Sequence, residues 1–225
     1  MSKLVIYGAG TYGKIVYHDI RQFGGEYSVC AFTMEEQFIN ADRVCGVPVI
    51  PFESILEIYP PDEYEMIVCC GYSVMRNRRI MYDKAKEKGY TLANYISNRA
   101  ILETIPKMGD NNIILANSVI GYDGCMGDDN IIFQNVWIGH EFVIGNHSII
   151  GFGSSIGGRA KIGDLSYISI GVTATGRIDF GNETMIGVGS NVIRDVESFT
   201  TVVGNPAKII EHHFNSGVVV KQQNN

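Results

Sequence analysis

"VWIGHEFVIGNHSIIGFGSSIGGRAKIG", residues 136 to 163, repeats isoleucine-glycine every six residues: Ile138-Gly139, Ile144-Gly145, Ile150-Gly151, Ile156-Gly157 and Ile162-Gly163. Six is the period of neither an α-helix nor an alternating strand. Extending the step both ways adds Ile114, Ile120, Met126 and Ile132 before, and Ile168, Ala174, Phe180, Ile186 and Val192 after, so all 14 slots are apolar. In a chain that is 45% hydrophobic, chance would fill one fixed phase with a probability on the order of 10⁻⁵. A sustained hexapeptide period predicts a parallel β-helix. Each unit makes one flat side with its slot residue pointing inward, and three sides make a coil of 18 residues. Ile120, Ile138, Ile156, Ala174 and Val192 should then stack, as should Met126, Ile144, Ile162 and Phe180. Glycine follows nine of the 14 slots, and is expected where φ is positive or space is tight.

Residues 1–96 follow another pattern. "KLVIY", "YSVCAF", "VPVI", "MIVCC" and "YTLANYI" read as strands, with helices in "KIVYHDIRQF" and "SVMRNRRIMYDKAKEKG". Such alternation implies a parallel sheet covered by helices. The expected fold is an α/β, Rossmann-like amino-terminal domain (1–96) followed by a β-helix domain with a carboxy-terminal tail (97–225). The tail, "EHHFNSGVVVKQQNN", could cover the end of the column or stay loose.

A net charge of −6 argues against nucleic acid or an anionic membrane as partner. No apolar run is long enough for a signal peptide or a bilayer span. The five cysteines have no metal-ligand spacing, so no metal is expected and a reduced, cytoplasmic chain fits.

Within the repeat, His140 and Glu141 occupy the two middle positions of a unit and should face outward. An imidazole beside a carboxylate, on a surface otherwise poor in ionisable groups, suits a general base. His147 is a weaker candidate; His212 and His213 read as tail residues, and His18 as surface or packing. Gly8, Gly10 and Gly13 in "GAGTYG" have GxGxxG spacing, but residues 1–96 are too few for a two-part dinucleotide fold.

Taken together, "KLVIYGAGTYG", the array with "IGHEFVIG" and the closing "VVGNPAKII" resemble the NeuD/PglD family of sugar acyltransferases, over about residues 1 to 210. The resemblance implies a left-handed β-helix, a homotrimer with active sites between subunits, acetyl-CoA as co-substrate, and a nucleotide-linked amino sugar held by the amino-terminal domain. It implies His140 as general base and Glu141 as the residue that tunes it. Gly10, Thr11 and Tyr12 match the nucleotide-sugar loop. Glu35 stands in "FTMEE", beside Met34, where relatives carry an acidic pair, and Ser73 and Arg76 face the expected sugar site. Gly158, Ile170 and Val188 match backbone contacts to CoA, and Lys208 is placed to meet a CoA phosphate. Ile149 occupies the position of a second family histidine near the thioester, and His147 could compensate.

The leading expectation is an N-acetyltransferase acting on a nucleotide-linked amino-dideoxy sugar of a surface polysaccharide. An O-acetyltransferase on a sialic-acid-like hydroxyl, a non-catalytic trimer that binds sugar nucleotides, and an NAD-dependent dehydrogenase stay open as alternatives.

Overall fold

A computed structural model describes residues 2–70 and 73–220. Gly71 and Tyr72 of "GYSVMR", and the end of the tail from Lys221 onward, lie outside the described residues. The first half contains β1 (Ser2–Tyr7), α1 (Thr11–Phe23), β2 (Tyr27–Met34), β3 (Arg43–Val44), β4 (Val47–Pro51), α2 (Ile55–Ile58), β5 (Glu65–Val68) and α3 (Arg76–Glu87). The sheet order is β3-β4-β2-β1-β5, parallel except between β3 and β4. Its central strand buries Leu4, Val5, Ile6 and Tyr7 completely, as a parallel strand covered on both faces should.

"YTLANYI" does not form a strand of this sheet along its length. Only Leu92 bridges to Met66, while Tyr95–Ile96 pairs with Ile113–Ile114 and opens the solenoid. Asn94 draws the segment across: its Oδ1 accepts the Asn112 amide at 2.8 Å and its Nδ2 donates to the Gly109 carbonyl at 2.7 Å.

From there the chain is a triangular column of two-residue strands, each paired in parallel with the strand 18 residues on. Slot residues align in three files, one per face: Ile120–Ile138–Ile156–Ala174–Val192, Met126–Ile144–Ile162–Phe180 and Ile114–Ile132–Ile150–Ile168–Ile186. All 14 are buried in one core.

Glycine plays one of its two expected roles. The glycines that follow the slots lack positive φ; they answer to space. A Cβ on Gly151 would lie 2.7 Å from the Ser169 carbonyl carbon in the next coil. Left-handed backbone falls two residues later, at every sixth residue from Asn111 to Gly189, with φ between 50° and 67°. Most of these corners are not glycine, and asparagine and aspartate, which tolerate this region best, hold Asn111, Asn117, Asp123, Asp129 and Asn135.

The amino-terminal domain packs on one face of the column. The outward residue before each slot on that face is apolar: Ile113, Ile131, Ile149, Tyr167 and Met185. They join Leu4, Ile6, Val16, Ile20 and Phe32 in one cluster. The same position on another face reads Lys107, Cys125, Val143, Lys161 and Asp179, and stays largely in solvent. Three ion pairs among the described residues fasten the docking, one of them Lys86 of α3 to Asp110 at 2.6 Å. Fully buried Arg78 of α3 meets fully buried Asp129 of a corner. Arg76 grips Glu183 with Nε at 2.8 Å and Nη2 at 3.1 Å. Among the described residues no helix is long and apolar enough to cross a membrane.

Gly151→Ala forces a Cβ against backbone and should lower stability by about 1–3 kcal/mol. Gly153→Asn, at an open corner with φ +66°, should cost less than about 1 kcal/mol, because asparagine holds the same corner elsewhere. Denaturant unfolding of both variants checks the contrast; equal losses would contradict it.

Candidate active site

His140 stands two residues after a slot, on the corner between the two faces that the amino-terminal domain does not cover. Its side chain is 40% exposed. Glu141 follows at the left-handed corner position, φ 54°, which turns its carboxylate back to the ring: Nδ1 lies 3.1 Å from Oε1. That contact assigns the ring proton to Nδ1 and leaves Nε2 as the free acceptor. Tyr122, one coil earlier, stacks on the imidazole with centroids 5.1 Å apart and planes 10° from parallel.

The surface here is not poor in ionisable groups. Arg159 binds the Glu141 carboxylate through two nitrogens, Nε to Oε2 at 3.0 Å and Nη2 to Oε1 at 2.9 Å. Arg177 follows one coil later and shares a cavity of about 390 Å³ with His140, Gly158, Arg159 and Gly176. The guanidinium of Arg159, and then the His140 ring, hold the Glu141 carboxyl below its ordinary range. The signal in the sequence was a basic residue 18 positions after Glu141, visible only once the coil length is used to align corners.

Along this corner, His140 is succeeded at the same coil position by Gly158, Gly176 and Arg194. Two residues without side chains leave an open trough beside the imidazole. A Cβ on Gly158 would sit 2.7 Å from His140 Nε2. The trough runs toward a cavity of about 290 Å³ lined by Arg194 and Lys208. Arg194 lies three coils from His140, a rise of roughly 14 Å at the usual strand spacing, and Lys208 stands beside it at the carboxy-terminal end of the column.

Ile170 and Val188 are exposed but belong to the next corner round, beside the docked face, and do not meet His140 in one chain. Ile149 is corrected as a coenzyme contact: it is 1% exposed, one of the apolar file under the amino-terminal domain. His147 does not compensate for it. Its Nδ1 lies 2.9 Å from Asp129 Oδ2, inside the buried network with Arg78 and Asn111. His213 is no loose tail residue either; it is buried, with Nε2 2.8 Å from the Glu183 carbonyl.

In the amino-terminal domain, Gly10, Tyr12, Glu35 and Ser73 converge on a cavity of about 280 Å³ with Tyr7, Gly8 and Asn77. Gly8 takes φ +121°, and Gly13 lets α1 pack directly against the Gly8 carbonyl. The amino end of α1 therefore opens into the cavity, a setting that favours anions. Glu35 is buried, which by itself raises its carboxyl; the Tyr7 hydroxyl (2.7 Å), its own amide and the Lys84 ammonium (3.1 Å) outweigh this and hold it below the ordinary range. Thr11 lines a different cavity, of about 430 Å³, between α1 and the column, with Lys14, His18 and Gln134. Arg76 is corrected as a sugar contact. Besides Glu183 it donates to the carbonyls of Phe214 (3.2 Å) and Asn215 (2.7 Å), so its guanidinium straps the tail.

Gly158→Ala should displace the imidazole without disturbing the fold. A displacement of about 1 Å is expected to cost roughly 10²-fold in turnover with an unchanged melting temperature; a fully active variant would contradict the packing described.

No family model and no curated protein matches the sequence. Solved structures do match. The acetyltransferase domain of PglB from Neisseria gonorrhoeae FA1090 is 25% identical with a TM-score of 0.83, over 93% of this chain and 100% of that one. PerB from Caulobacter crescentus, solved with CoA and GDP-perosamine, is 25% identical with a TM-score of 0.84, over 94% and 98%. WeeI from Acinetobacter baumannii AYE, at 19% identity and a TM-score of 0.56, shares the fold. With its hexapeptide column, its Rossmann-like domain and the imidazole–carboxylate corner, the chain is an acyltransferase built on a left-handed β-helix, and it resembles the sugar acyltransferases of the NeuD/PglD type.

Proposed function

We propose that the protein is an acetyl-CoA-dependent N-acetyltransferase that modifies the amino group of a nucleotide-linked amino-dideoxy sugar, with His140 as general base. The observation that carries this reading is the free Nε2 of His140, backed by Glu141 and facing a glycine-walled trough that ends at Arg194 and Lys208. An extended thioester fits there, with its acyl end at the imidazole and its phosphates at the basic end. The solved complexes of PerB, a GDP-perosamine N-acetyltransferase, with CoA, and of PglB with acetyl coenzyme A, favour the same pair of substrates.

The chemistry needs no covalent enzyme intermediate. The sugar amine attacks the thioester carbonyl, and His140 Nε2 takes the proton as the nitrogen becomes bonded. A backbone N–H steadies the oxyanion. The C–S bond breaks, and the imidazolium returns its proton to the departing thiolate.

The cavity around Gly10, Tyr12, Glu35 and Ser73 is the proposed sugar-nucleotide site. It belongs to the domain docked on one face, whereas His140 stands on the opposite corner. A sugar held there would meet the His140 of another chain, so the working unit we propose is a homotrimer. In it the trough of one protomer, with Gly158, is closed by the corner of the next that carries Ile170 and Val188. The five cysteines are free thiols, which suits a cytoplasmic enzyme.

A thiol-release assay with acetyl-CoA and a panel of UDP-, dTDP- and GDP-linked sugars tests the proposal. Turnover is expected with a 4-amino sugar, and His140→Ala should lower kcat by about 10²–10⁴. Turnover only with hydroxyl acceptors would replace the reading by O-acetylation, and none with any acceptor would leave a binding protein.

A further inference from the structure

We propose that Arg159 is a positioning residue: it clamps the Glu141 carboxylate so that His140 keeps its proton on Nδ1 and presents a bare Nε2 to the trough. This rests on the reading of His140 as the base. Glu141 and Arg159 sit 18 residues apart at the same corner of successive coils, both in left-handed backbone (φ 54° and 61°). The Arg159 amide also donates to the His140 carbonyl at 2.7 Å, so the guanidinium is anchored to the unit it serves. Both side chains are nearly half exposed, 45% for Arg159 and 40% for Glu141. An exposed glutamate alone would sample several rotamers and hold the imidazole only part of the time. The bidentate fork removes that freedom, because two parallel N–H···O contacts fix both oxygens at once. Glu141 Oε1 is then shared between Arg159 Nη2 and His140 Nδ1.

The clamp also divides the carboxylate's charge. Glu141 without Arg159 would direct its whole negative charge at the ring. With Arg159 on the same carboxylate, the proton taken from the acceptor amine is released more readily to the thiolate. The groups around His140 are Tyr122 stacked on the ring, Asp123 one coil before Glu141, Glu141 itself, Arg159, and Arg177 one coil beyond. Arg159 is the cation bound to the shared carboxylate.

The test compares the full-length protein with Arg159→Met and Arg159→Lys. Ring ¹⁵N shifts of labelled protein, with the His140 signals assigned by His140→Gln, report the tautomer without any acceptor. The wild type should be Nδ1-protonated, the methionine variant a mixture, and the lysine variant intermediate. In thiol-release assays Arg159→Met should lower kcat by about 10- to 100-fold, with the KM for acetyl-CoA changed by less than about twofold. Loss of the cation should move the acid limb of the kcat–pH profile to higher pH. Lysine should restore the position of that limb but only part of kcat, since it cannot fork. A methionine variant with the wild-type tautomer and pH profile would overturn the proposal. So would a raised KM with kcat intact, which would make Arg159 a coenzyme ligand. If instead His140→Ala kept full activity, the reading of the base would fail, a result distinct from either.

Discussion

Everything in this protein follows from one registration: each six-residue unit must lie a single strand spacing, about 4.8 Å, above the unit 18 residues earlier. The backbone amides and carbonyls are satisfied along that axis, so neighbouring coils cannot slip without losing a whole ring of hydrogen bonds. Slot residues are thereby forced into files, and Ile, Val, Met and Phe fill the prism interior. The same spacing leaves no room for a Cβ after the slot at Gly121, Gly139, Gly151 and Gly157, where the next coil's backbone is too near. Corner residues stack too, and chemistry is laid out along the corners. A corner position is a column of side chains that can be alternately removed, as at Gly158 and Gly176, or charged, as at Arg159 and Arg177.

The two histidines that the repeat contains illustrate how little separates the proposed base from a strut. His140 is two residues past its slot, on a corner open to solvent, and its carboxylate partner is its neighbour in sequence. His147 is three residues past its slot, on the left-handed corner nearest α3, and its partner Asp129 is one coil earlier and wholly buried. Burial turns the second into part of a charged junction in which Asp129 also receives Arg78 and Asn111. A buried pair of this kind contributes less by attraction than by the cost of leaving either charge unpartnered. It pins the amino-terminal domain to one orientation on the column.

That orientation has consequences for catalysis. Docking uses the apolar outward file of one face and shields it from solvent. It commits the amino-terminal cavity to that side and leaves the imidazole corner, with its trough, on the other. The carboxy-terminal tail completes the junction: Val218 is buried in the shared core, and the backbone of residues 218–220 bonds to Ser73 and Met75 beside the cavity.

The hexapeptide period by itself determined the column, its 18-residue coil, its files of core residues and the outward placement of His140 and Glu141. These depend only on local spacing and on which residues are apolar, and both are written in the chain. The longer strands and helices of the first half were legible too; the short β3 and α2 were not foreseen, and Tyr95–Ile96 is carried into the solenoid by Asn94 and Asn112. Tertiary structure alone decided the rest. It gave Glu141 a second partner in Arg159, took Arg76 away to Glu183 and the tail, and buried Ile149 and His147 beneath the docked domain. The reason is common to all of them: a charged or apolar side chain takes whichever partner the coil stacking and the docked face bring within reach, and those neighbours are distant in sequence.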